Sequence, residues 1–311
     1  MRVAKKLSNK RSFNFSGHET FPFRYAWLKK GVDAVSRDGS FFSNERAMVE
    51  LGVGKNMVQS IRHWCLATKM LAEESSQLIP TNLGRSILLD GGFDPYLEDT
   101  ATLWLIHWNL ASNTNLATTW FSVFSHWHSI EFTKDQLIFW VKTLVEETGR
   151  KRISENTIRR DVDCFVRTYV HSRHTKAAVQ EDTLDCPLVD LRLIVELHES
   201  KSYQFQRGPQ ASLPDEIFVL ALIDYWMSSP SRMNTNTLAF ERIAYDPGSP
   251  GRIFKIDEDS LASRLERIEK VTKGALRYGE TAGLKQVYRD LQNHIEPLEL
   301  LEIYYGTYSL K

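Results

Sequence analysis

The sequence predicts a mainly helical chain with short strands, an α+β class, on three observations. Residues 45–70 repeat apolar positions at helical spacing on both sides of a Gly-Val-Gly break. Residues 93–170 place aromatic side chains three and four residues apart. Short apolar stretches bounded by glycine, proline and serine punctuate the first hundred residues and the last third. At 311 residues the chain exceeds one ordinary core, which predicts division into 1–92, 93–178 and 179–311. Its 42% hydrophobic and 11% aromatic content fills such cores and excludes a disordered chain.

Net charge is zero but unevenly spread. Residues 1–70 hold 13 Lys and Arg against 5 Asp and Glu, a balance of +8, and the remainder carries −8. A basic end of this kind suits a protein that approaches phosphates. The longest apolar run, near residues 217–223, ends at Asp224 and is too short for a bilayer. Arg2, Lys5, Lys6, Lys10 and Arg11 lead into no apolar signal segment. Three widely spaced cysteines, Cys65, Cys164 and Cys186, read as reduced thiols. The expectation is a cytoplasmic chain with no membrane partner.

Taken in order, Phe13, Phe15, Phe21, Phe23, Tyr25 and Trp27 alternate with polar residues as an extended segment, and a helix follows to Val35. Within it, Gly17-His18-Glu19-Thr20 forms a tight turn. His18 and Glu19 are a candidate proton-transfer pair, set against the commoner role of capping neighbouring backbone.

Ser43 or Asn44 caps the next helix, and Gly52-Val53-Gly54 turns the chain into another from Lys55 to about Leu66. On that second helix Met57, Val58, Ile61, Trp64 and Cys65 share one side. Lys55, Asn56, Gln59 and His63 fall opposite, with Ser60 and Arg62 on the flanks. Such side chains match major-groove base edges and phosphates, as on the recognition helix of a helix-turn-helix. Residues 69–88 then read as two short strands around the tip 73–77 and a helix from Thr81, the wing of a winged helix, with Arg85 set to support a phosphate.

Asp94-Pro95 marks a helix start, with Leu97, Ala101, Trp104, Trp108 and Ala111 as its buried stripe and His107 hydrogen-bonded among the tryptophans. A second aromatic helix spans 119–127. Thr133 with Gln136, and Phe132 with Leu137, form a capping box and staple for a third, which stops at Gly149. After the basic residues 150–152, Ser154 opens a helix with Ile158, Val162, Phe165 and Tyr169 inward. Its Asn156, Arg160 and Arg167 face outward as a second candidate DNA contact, the alternative being a salt-bridged bundle helix. Cys164, His171, His174 and Cys186 are metal-ligating types without zinc spacing, so no metal site is assigned.

Further on, 191–197 and 202–206 read as a strand pair. Asp190 with Glu199 and Lys201 forms a weak nuclease-like triplet that would need Mg²⁺ or Mn²⁺. An apolar helix follows Pro214, a strand is expected at 253–256, and Asp257 caps a helix with Arg264, Arg267 and Lys270 outward. A strand at 275–278, a turn at Gly279 and a last helix from Gly283 complete a small unit resembling a further winged helix.

Several blocks together, FSGHETFPFRYAWLKKG, ERAMVELGVGKNMVQSIRHW, TLWLIHWNLA, RRDVDCFVRTYV, EDTLDCPLVDL and GSPGRIFKIDE, resemble one bacterial family, domain of unknown function 4007. The resemblance runs from Phe13 to near Tyr288. It implies a component of DNA phosphorothioation and phage-defence systems, acting on double-stranded DNA by nicking or presenting the backbone. It also implies partners: a cysteine desulfurase, an ATPase and a sulfur-transfer enzyme. It names no catalytic residue. A homodimer is expected on general grounds. The alternative is a non-enzymatic winged-helix regulator or scaffold.

Overall fold

Trp27, Leu28, Val32 and Val35 recur at helical spacing and are all buried, so residues 25–37 fold as a helix with one inward stripe (α1, Tyr25–Arg37). The computed structural model describes residues 14–147, 153–171, 186–197, 199–281 and 283–308. The chain divides into two compact units, Met1–Gln206 and Arg207–Lys311. The boundaries expected at 92 and 178 therefore both fall inside the first unit. Phe13, Gly149, the basic residues 150–152, His174 and His198 lie outside the described residues.

In the first unit, α2 (Arg46–Leu51) ends at Gly52, whose φ of 68° is left-handed backbone that glycine adopts without a Cβ clash. Asn44 accepts the Arg46 N–H at its start (3.0 Å). After the break, α3 (Lys55–Ala67) buries Val58, Ile61, Trp64 and Cys65 and packs on α1. A hairpin follows: β1 (Leu71–Glu74) pairs antiparallel with β2 (Gln77–Pro80), from Leu71 opposite Pro80 to Glu74 opposite Gln77. Ser75 and Ser76 both take positive φ, 51° and 65°, which matches the twist of a two-residue hairpin. Thr81 then caps α4 (Asn82–Leu88), its Oγ1 accepting the Gly84 N–H at 2.9 Å. The order helix, glycine turn, helix, hairpin, helix is the one expected.

Asp94 does not start a helix. The next one, α5 (Thr100–Ala111), begins six residues later with Asp99 as its cap. Asp94 instead folds the intervening loop, accepting the Glu98 and Asp99 N–H groups and the Thr102 hydroxyl. Every residue of α5 from Ala101 onward is buried, so the expected single stripe is a helix buried all round. His107 lies within it, its Nδ1 2.8 Å from the Tyr169 hydroxyl. Next, α6 (Thr118–His126) is buried along its whole length. The capping box of α7 (Lys134–Glu147) forms in both directions: Thr133 Oγ1 accepts the Gln136 N–H (3.2 Å) and Gln136 Oε1 accepts the Thr133 N–H (2.8 Å). Ser154 caps α8 (Glu155–Tyr169). A short sheet of order β3-β5-β4 closes the unit, from β3 (Glu131–Phe132), β4 (Ile194–Leu197) and β5 (Ser202–Phe205).

The second unit has its own core around α9 (Asp215–Met227), whose Phe218, Ala221 and Leu222 are buried. Two short helices, α10 (Pro230–Met233) and α11 (Phe240–Tyr245), flank β6 (Thr237–Ala239). The strand expected at 253–256 is replaced by α12 (Pro250–Ile253), because Ser249 caps a helical turn with Pro250 at its first position. Asp257 caps α13 (Glu258–Glu266) as expected, and α14 (Ile268–Val271) continues it. Arg264 is buried rather than outward. Its guanidinium binds Asp215 (2.7 Å) and the Pro209 and Gln210 carbonyls (3.1 and 2.8 Å), which satisfies the charge. No helix begins at Gly283, where β8 (Leu284–Arg289) returns against β7 (Leu276–Thr281), in sheet order β6-β8-β7. The last helix, α15 (Pro297–Tyr308), starts later. Among the described residues no helix is long and apolar enough to cross a membrane.

Candidate nucleic-acid interface

Lys55, Asn56 and Gln59 occupy the first two turns of α3 and are exposed, as its polar face requires. Arg62 is half-buried and pairs with Glu73 of the hairpin (3.2 Å). His63, expected with them on the outer face, and Ser60, expected on its flank, are instead buried. A helical wheel places one buried face on α3, but α1 packs on one side and the turn at residues 16–20 presses on another. The Ser60 hydroxyl donates to the His18 carbonyl at 2.8 Å. His63 sits so close to Gly17 that a Cβ there would meet its ring. Burial pushes the His63 pKa down to about 3, keeping the imidazole neutral.

The 16–20 turn is the centre of this unit. Its Glu19 and Thr20 have φ of 49° and 69°, and a β-branched residue rarely adopts the latter without surrounding constraint. The constraint is a buried network. Thr20 N–H donates to His18 Nδ1 (3.0 Å), so the ring proton must lie on Nε2, which donates to Asp161 Oδ1 (2.8 Å). Asp161 also accepts the Ser16 N–H (2.8 Å) and the Thr119 hydroxyl. Trp64 donates its indole N–H to the Phe21 carbonyl (2.9 Å). His18 is 1% exposed with both ring nitrogens hydrogen-bonded, Nδ1 accepting a neighbouring backbone N–H. Glu19 is exposed beside it. Asp161 was missed as a site residue. Its signal is legible: an acid three residues after Ile158 and four before Phe165 lies on an apolar face, where it needs donors.

On α8, Ile158, Val162, Phe165 and Tyr169 are buried, and Asn156, Arg160 and Arg167 are exposed. Its other flank is laced to α7 by Lys134–Asp163 (2.8 Å), Lys142–Glu155 (3.1 Å) and Arg159–Asp135 (3.3 Å). The salt bridges and the outward arginines occupy neighbouring strips of one helix, and Asp163, three residues after Arg160 and four before Arg167, lies where the strips meet and opposes phosphate there. Arg167 donates to the Thr20 carbonyl at 3.3 Å. Arg85 is exposed on α4.

The nuclease-like triplet does not assemble. Asp190 precedes β4 and accepts the Tyr25 hydroxyl (2.8 Å), while Glu199 and Lys201 lie beyond the other end of that strand, roughly 13 Å of strand away. Among the described residues no three His, Cys, Asp or Glu side chains converge to hold a metal. Cys164 and Cys186 are buried and form no disulfide, and burial raises the Cys164 pKa well above the ordinary thiol value.

The model for the family described as "Protein of unknown function (DUF4007)" matches residues 15–305, and this chain belongs to that family. Two solved structures are similar to it: one titled as an SspB crystal structure and one as magnesium ion-bound SspB. Each is 30% identical with a TM-score of 0.84, covering 97% of this chain and 90% of the other. No curated protein matches the chain.

Proposed function

We propose that this protein is a duplex-DNA-binding component of a bacterial DNA phosphorothioation system, with residues 45–88 acting as a winged helix. The observation that carries the reading is the outward set Lys55, Asn56 and Gln59 at the start of α3. The residues behind it are locked by Trp64 and Ile61, as a recognition helix requires. The family resemblance and the similarity to SspB over most of both chains support the system assigned. Replacing Lys55 and Gln59 with alanine should weaken duplex binding and lessen its salt dependence by about one phosphate contact. Unchanged affinity and salt slope would remove α3 from the interface.

The magnesium-bound SspB structure favours a second reading, Mg²⁺-dependent nicking. Supercoiled plasmid incubated with protein and Mg²⁺ tests it: open-circular product supports nicking, and its absence at high protein concentration leaves DNA binding and presentation.

A further inference from the structure

The hairpin tip behind α3 is acidic. Glu73 and Glu74 are exposed there, and Arg62 is already paired with Glu73. A wing of that charge repels phosphates, so the backbone contacts of a duplex lying on α3 must come from elsewhere. The opposite side of α3 meets the 16–20 turn, and the same turn is held on its far side by α8. Ser60 of α3 and Asp161 of α8 both bind His18, one at its carbonyl and one at its ring, each at 2.8 Å. Further along, Trp64 of α3 binds the Phe21 carbonyl while Arg167 of α8 binds the Thr20 carbonyl. Both helices therefore run alongside the turn in the same direction. Beneath it, Trp120 fills the space between them, its ring 5.5 Å from Trp64 and 5.8 Å from Phe165. Arg160 and Arg167 are seven residues apart, hence on one face of α8 and about 10 Å apart along its axis. That face borders the turn on the side away from α3.

We propose that α3, the strained 16–20 turn and α8 form one composite duplex-binding surface, with Arg160 and Arg167 contacting the phosphate backbone while α3 meets the groove. Glu19, exposed at the crest of the turn, sits between the two helices and opposes phosphate. The buried bonds of His18 and Asp161 fix the spacing of the helices. This inference rests on the duplex-binding reading above and adds a second helix to its surface.

The test is a salt-dependent duplex titration of the full chain with four variants. Replacing both Arg160 and Arg167 with alanine should reduce the salt slope by about 2 and weaken binding roughly tenfold or more at moderate salt. Replacing both with lysine keeps the charges and should restore the slope. Glu19→Gln should tighten binding. The Lys55→Ala/Gln59→Ala variant separates the two claims. If it weakens binding while the arginine-to-alanine variant keeps wild-type affinity and slope, the composite surface is overturned and the α3 reading stands. If neither changes duplex binding, both fall. Lost binding that lysine does not restore also overturns the proposal, because the arginines would then act through structure rather than charge.

Discussion

His63 makes a titration experiment informative. Burial is the main cause of its depressed pKa, about 3 against an ordinary 6.5; His18 and Arg62 deepen the depression and Asp161 opposes it. Between those values the unfolded chain binds a proton that the folded chain does not. Its contribution to stability is therefore complete above about pH 6.5 and is lost as pH falls toward 3, at up to about 1.4 kcal/mol per pH unit. Urea unfolding of wild type and His63→Gln across this range should give curves that converge as pH drops; parallel curves would show that the His63 pKa is not depressed in the folded chain. Asp161 is the stronger determinant. Asp161→Ala strands two buried donors and one part-buried donor and should cost about 3 kcal/mol or more, with Asp161→Asn costing less, read from urea midpoints. Sequence spacing alone could mark Asp161 as an acid on an apolar face. It could not name the donors, because Ser16, His18 and Thr119 come from distant parts of the chain.

Elements were legible where the chain states its own boundaries. The box of Thr133 and Gln136 starts α7 in the predicted place, and Thr133→Ala should lower stability by about 1 kcal/mol in thermal or urea unfolding. Gly52 closes α2 and the paired serines close the first hairpin, each through local backbone chemistry. Elements failed where two local signals compete. Asp94-Pro95 is a good helix start, yet Asp94 serves a loop and Asp99 takes the cap. Gly279 reads as a turn and Gly283 as a helix start, yet β7 continues through Gly279 to pair with β8 and Gly283 leads into that strand. Ser60 and His63 failed for a third reason: periodicity counts one buried face, and α3 buries two.

At the scale of the whole molecule, the second unit has a sheet and an apolar core of its own, with Phe218, Phe254, Leu261, Leu265 and Val287 all buried. Residues 207–311 produced alone should therefore melt cooperatively by circular dichroism and leave duplex DNA unshifted; a non-cooperative melt would show that this unit depends on the rest. The mixed helix-and-strand class was readable from periodicity; that the helices of 93–170 and the turn at 16–20 share one buried network was not, because its members are far apart in sequence. The crowding of Gly17 against His63 reaches furthest. Position 17 cannot take a side chain by itself: a methyl there needs a smaller residue at 63. The cost of Gly17→Ala should shrink when His63→Ser is already present, so a change at 63 must come first for a lineage to keep one at 17.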